Sequence, residues 1–130
     1  MNASTSASAY RTQQIMTARP EDLTLMLYNG AIRFITESIQ AIEQRELEKA
    51  NAANLRAQDI IREFIVTLDM RYDIAKNLYA LYDYIEYRLI QANLKKETSQ
   101  LEEAKSLVTE LRDAWAEAMK QTRLAKVVGK

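Results

Sequence analysis

The sequence predicts an all-α fold, an antiparallel four-helix bundle with a flexible N-terminal arm, and three observations predict it. Its 130 residues include only two Gly and one Pro, too few to punctuate a many-stranded sheet. Long uninterrupted stretches are rich in Ala, Leu, Glu, Lys, Gln and Arg, the residues that lose least on entering a helix. Along four of these stretches apolar side chains recur at the spacing of one helix face. With 48% apolar and 28% charged residues, 1–130 reads as a single soluble domain, because two halves of this length would each lack a viable core.

Residues 1–17 form the expected arm. Met1 to Tyr10 is rich in Ser, Thr and Ala, with neither a basic start nor an apolar run, so it does not read as a secretory signal. The first helix is expected over about 20–44. Pro20 suits a first helical turn and Glu21 and Asp22 complement the positive end of the dipole, whereas Arg19 is a poor cap. Its apolar residues, from Leu23 and Leu25 through Leu27, Tyr28, Ala31, Ile32, Phe34, Ile35, Ile39 and Ile42, cover roughly 200° of arc, which predicts the most enclosed helix of the four. Gly30, in its middle, costs about 1 kcal/mol relative to Ala and implies close approach of a neighbouring backbone.

A break near Gln44 to Glu46, without Gly or Pro, leads to a second helix over about 47–69. Ala50, Ala57, Ile61, Phe64, Ile65 and Leu68 make its core stripe, and Leu55 and Val66 are stranded on another side beside Asp59 and Arg62. The third helix spans about 73–95. Ile74, Leu78, Leu81, Tyr82, Ile85, Leu89 and Ala92 lie within about 100° of one another and complete a core stripe. The fourth, over about 99–120, is opened by Ser99 with Glu102 as a capping box. It is one-sided through Leu101, Ala104, Leu107, Val108, Leu111, Trp115 and Met119, where Trp115 reads as an anchor of the bundle. Short loops make successive helices antiparallel neighbours.

Composition also narrows function. Without Cys or His the chain has no disulfide, no thiolate or imidazole metal ligand, no Cys or Ser/His nucleophile system and no di-iron Glu-x-x-His pairs. The inward stripes carry no Lys or Arg to hold an anionic substrate, and acid pairs such as Glu102 and Glu103 read as solvated surface. No enzyme, metal or other cofactor is therefore expected. Eighteen basic residues cancel eighteen acidic ones, which gives no global field toward nucleic acid or an anionic membrane. No stretch approaches the roughly 20 apolar residues of a membrane span, so no membrane insertion is expected and the location read is cytoplasmic.

The third helix carries more than its core stripe. Tyr79, Tyr87, Ile90 and Leu94 project from roughly the opposite side, interleaved with Asp83 and Glu86, where a bundle helix should meet water. Tyr82 and Tyr84 read as core, and Tyr79 and Tyr87 as binding surface, because Tyr offers apolar area with a polar tip that tolerates solvent when a partner is absent. Leu55 and Val66 join this surface as candidates. Self-pairing of the stripe across a two-fold axis is the alternative to a foreign partner.

Specific strings then carry a resemblance. Ala9-Tyr10, Thr17-Ala18 and Pro20, the run Leu25 to Gly30, the run Asn77 to Tyr84, Arg88-Leu89, Ala92-Asn93 and Arg112 to Trp115 occur in the order and register of the flagellin-specific export chaperones, FliS. The chain resembles that family from Ala9 to about Met119. The resemblance implies a four-helix bundle, monomeric and 1:1 with flagellin. It would bind the C-terminal segment of new flagellin, keep it from polymerising in the cytoplasm, and hand it to the flagellar type III export gate. It also implies that the arm shields the binding surface and docks at that gate, with Tyr10 the one arm residue carried over. Two positions depart from the pattern: Arg19 stands where the family often has a small polar residue, and Met70-Arg71-Tyr72 lacks the glycine common in that turn.

Overall fold

The computed structural model describes residues 19–127; the expected arm, with Tyr10, lies outside them. Four helices follow in order: α1 (Pro20–Glu43), α2 (Leu47–Thr67), α3 (Asp73–Lys95) and α4 (Thr98–Val127). They form an antiparallel bundle in which α1 and α3 each pack against both α2 and α4, so that α1 and α3 face each other across a diagonal.

The local chemistry explains each boundary. Pro20 occupies the first turn of α1, and the Arg19 guanidinium, which makes no cap, donates instead to Asp22 at 3.0 Å. The turn after α1 has no glycine, yet Arg45 adopts a left-handed φ of 60° and lets the Glu46 amide reach back to the Ala41 carbonyl at 2.8 Å. Lys96 does the same after α3, at φ 54°, with the Glu97 amide bonding the Ala92 carbonyl at 3.2 Å. Between α2 and α3 a side chain substitutes for glycine's freedom, since the Asp69 carboxylate accepts the Arg71 amide at 3.1 Å.

One core serves all four helices. Ile35, Ile61, Ile85, Leu89, Leu101 and Val108 are fully buried and come from every helix. The small residues Ala50, Ala53 and Ala57 line the buried face of α2. In α1 only Pro20, Asn29, Arg33, Glu37, Gln40 and Glu43 are exposed, as its wide apolar arc requires. Tyr28 and Tyr82 each stack on Phe64, with centroids 4.5 and 5.3 Å away, and their hydroxyls meet at 2.6 Å.

Four expectations need correction. Ile74 does not belong to the core and is 67% exposed, because it lies in the first turn of α3, beyond the last turn of α2. Tyr84 is exposed, its hydroxyl donating to Glu103 and accepting from Arg88 Nε at 2.8 Å in a bridge from α3 to α4. Ser99 is the second residue of α4 and not its cap, and that helix runs on to Val127, past the expected end near 120. Gly30 faces a side chain and not a backbone: a Cβ there would stand 3.3 Å from Ile60 Cδ1 on α2. Gly30→Ala is consequently expected to raise stability by about 0.5 kcal/mol, because the helix gains about 1 kcal/mol and the Ile60 methyl yields by a few tenths of an ångström. Thermal unfolding checks this, and a loss of stability would show that Ile60 has no room to move.

Candidate functional site

The candidate surface is the outer side of the α2–α3 pair. At 3.6 residues per turn, Tyr79, Asp83, Tyr87, Ile90 and Leu94 lie about 120–200° round α3 from the buried Ile85. All five are exposed; of the four apolar or aromatic ones Ile90 is least so, at 39%, and Leu94 most, at 74%. Leu55 and Val66 are also exposed, on the corresponding outer side of α2.

Polar rungs fix how the two helices sit. Asn93 Nδ2 donates to Asn51 Oδ1 at 2.7 Å, and Arg62 Nε donates to Glu86 Oε2 at 3.0 Å while the guanidinium's second nitrogen meets Oε1. In an antiparallel pair these rungs bring Leu55 level with Ile90, and Val66 level with Tyr79. The strip between the two helices, a furrow with exposed apolar side chains on both, is crossed by these polar rungs. Glu86 is the more enclosed partner of its ion pair, with 12% side-chain exposure against 56% for Arg62, while Asp83, one turn away on α3, stands exposed. Tyr10, the remaining candidate, lies outside the described residues.

Asn54 is fully buried on α2. It donates to the Leu89 carbonyl at 3.0 Å and accepts from Gln58 Nε2 at 2.7 Å, which ties α2 to α3 at the residue before Ile90. Ser38 is buried likewise and donates to the Ala50 carbonyl at 2.9 Å. Sequence reading missed both residues. The available signal was a polar side chain at a core position, Asn54 falling on the stripe of Ala50, Ala57 and Ile61.

The surface combines exposed apolar and tyrosine side chains with the paired Asn51–Asn93 and Arg62–Glu86 rungs and the exposed Asp83 carboxylate, an arrangement suited to contact with another chain. Among the described residues no three acidic side chains gather in a way that could hold a metal ion, and no helix is long and apolar enough to cross a membrane.

Comparison with known proteins decides the family. A family model described as "Flagellar protein FliS" matches residues 2–122. The chain belongs to the FliS family. It is 42% identical over 116 residues to the flagellar secretion chaperone FliS of Bacillus subtilis, covering 89% of this chain and 87% of that one. It is 30% identical over 108 residues to the corresponding Escherichia coli chaperone, covering 81% and 79%. A solved bacterial flagellar chaperone superposes with a TM-score of 0.73 over 92% of this chain and 99% of its own, and at 19% identity that likeness supports the fold alone.

The strings that carry the FliS resemblance meet in space. Tyr28 of the first run bonds Tyr82 of the second, and Asn29 Oδ1 accepts from Arg112 Nη1 at 3.3 Å. Trp115 Nε1 donates to the Glu21 carbonyl at 2.9 Å and so pins α4 to the first turn of α1. These FliS strings therefore hold helices together. The furrow residues Tyr79 and Asp83 lie in the second string with Tyr82, since both faces of α3 pass through it.

Proposed function

We propose that this chain is a cytoplasmic export chaperone that binds the C-terminal segment of flagellin along the α2–α3 furrow. It thereby prevents premature polymerisation and delivers its client to the flagellar type III export apparatus, acting as a 1:1 binder without catalysis. One observation carries this reading: Tyr79, Tyr87, Ile90 and Leu94 stand exposed on a helix whose core stripe is already satisfied. Membership of a family whose relatives are named flagellar secretion chaperones supports it.

The chemistry suits reversible holding. A segment that assembles through an amphipathic face is neutralised when that face is laid against another apolar surface. Ordering such a tail commonly buries about 1,000–3,000 Å² and offsets about 2–5 kcal/mol of the gross interaction, so the client is held and can still be released. Titration calorimetry of the full chain with flagellin, and with flagellin lacking its C-terminal segment, tests the reading. Binding to the first and not to the second is expected. Light scattering over a concentration series should show a monomer that becomes a heterodimer, whereas a homodimer burying Tyr79 and Leu94 would favour self-pairing.

Delivery is assigned to the arm. Tyr10→Ala is expected to leave the melting temperature and flagellin binding in solution nearly unchanged while motility falls. Unchanged motility would count against a gate-docking role for Tyr10.

A further inference from the structure

A second recess lies away from the furrow, between the start of α1 and the end of α4, in a cleft of about 350 Å³. Its floor is Trp115, Ala118 and Met119, with Trp115 fixed by its bond to the Glu21 carbonyl at 2.9 Å. The helical line that carries Leu101, Val108 and Met119 into the core continues beyond Met119, but there it presents Thr122 and Lys126, with Arg123 beside them. α4 has 30 residues against 24 in α1, so this last stretch overhangs α1, and among the described residues no helix meets it there.

The charge is one-sided. Arg19, Arg123 and Lys126 line the cleft against a single acid, Glu21, which already lies 3.6 Å from Arg19 Nε. Among the described residues neither Arg123 nor Lys126 makes an ion pair. The chain's own preceding segment, 1–18, is a poor complement, since it contains Arg11 and no Asp or Glu. The family match ends at residue 122, so Arg123 and Lys126 lie beyond the stretch that places the chain in its family.

We infer that this cleft is a docking site for an acidic segment of a partner protein, one that seats an apolar side chain on Trp115 and Met119 and a carboxylate between Arg123 and Lys126. Apolar floor and cationic rim together fit such a segment, because each half of the cleft matches one half of an alternating acidic and apolar sequence. The site is separate from the flagellin furrow, and two partners could be held at once.

Trp115 is the chain's sole tryptophan, so its fluorescence reports this cleft directly. The probe is a short synthetic peptide alternating Glu with Leu and Phe, blocked at both ends and titrated into the full-length protein. A saturable shift of Trp115 emission is expected, weakening as salt is added. The doubly substituted R123E/K126E protein, both positions being exposed, should keep its circular dichroism and its flagellin binding while its affinity for the peptide falls about tenfold or more. The same peptide with Lys for Glu should give no shift. An equal response from the R123E/K126E protein or to the Lys peptide would overturn the assignment. Tighter saturation by single-stranded oligothymidine would overturn it in favour of nucleic acid, and tighter saturation by a peptide copy of 1–17 would return the cleft to the arm.

Discussion

Ile85→Glu is expected to unfold the bundle outright, while Ile90→Glu and Leu94→Glu, on the other side of the same helix, leave it folded and weaken flagellin binding by a factor of roughly 100 or more. The difference is where the carboxylate finds itself. Ile85 has no exposure, so a charge there is buried unpaired in the free protein, at a cost that exceeds the stability of a small domain. Ile90 and Leu94 already meet water, and a carboxylate at either remains hydrated until a client covers it. Stability should then change by about 0.5 kcal/mol, within the range of surface substitutions. Leu94, at 74% exposure, is the cleaner probe; Ile90, at 39%, follows Leu89, whose carbonyl accepts from the buried Asn54, so its substitution also tests whether this part of α3 is stiff. Denaturant unfolding and flagellin titration on the same three proteins separate the effects. Unfolding by all three would move the outer stripe into the core and remove the proposed site.

Tyr82→Phe is expected to cost about 1–3 kcal/mol although it deletes a single oxygen, because it strands the Tyr28 hydroxyl in the core without a partner. Tyr28→Phe should cost a similar amount for the same reason. The double substitution should cost less than either single one or little more, since no buried hydroxyl then remains unpaired, and a double-mutant cycle measures the coupling. Additive losses would show that the pair does not interact. The same two phenols set an alkaline limit. Burial pushes the Tyr82 phenol well above its ordinary value of about 10, and the Tyr28 hydroxyl and its charge push further; burial also raises Tyr28, partly opposed by its bond to Tyr82. A raised folded pKa means that folding favours the neutral phenol. That stability is fully present below pH about 10 and declines as pH rises above it, where unfolded chains release the protons first. Chemical denaturation between pH 9 and pH 12 should show this decline, and the Y28F/Y82F protein should show a smaller one (both limits being about one to two units either side of an ordinary tyrosine).

The furrow was legible because a helix's two faces can be told apart by counting. Tyr79, Tyr87, Ile90 and Leu94 could be assigned outward once Ile85, Leu89 and Tyr82 were assigned inward, and Leu55 and Val66 could be set apart from the α2 stripe in the same way. What counting leaves open is which residue on one helix stands beside which on another. That Leu55 stands level with Ile90 near the Asn51–Asn93 rung, and that Tyr28 meets Tyr82 over a separation of 54 residues, depends on interhelical register.

Two residues of α3 were also misplaced, one in its first turn and one in its middle. Ile74 continues the apolar line of α3 yet is exposed, since a face is buried only as far as a neighbouring helix accompanies it, and α2 stops at Thr67. Tyr84 was read as core because an aromatic stripe at helical spacing usually is, but it is exposed and bridges Glu103 and Arg88.

By itself, then, the sequence determined the helical class, the four stretches that become helices and the two-faced character of α3, because propensity and a 3.6-residue period are properties of a single chain segment. Tertiary structure decided the pairing of Asn54 with Leu89, the rungs across the furrow, the end of burial at Ile74 and the cationic cleft beyond Met119. Each of these depends on how far one helix runs alongside another, and that length is settled only when all four pack.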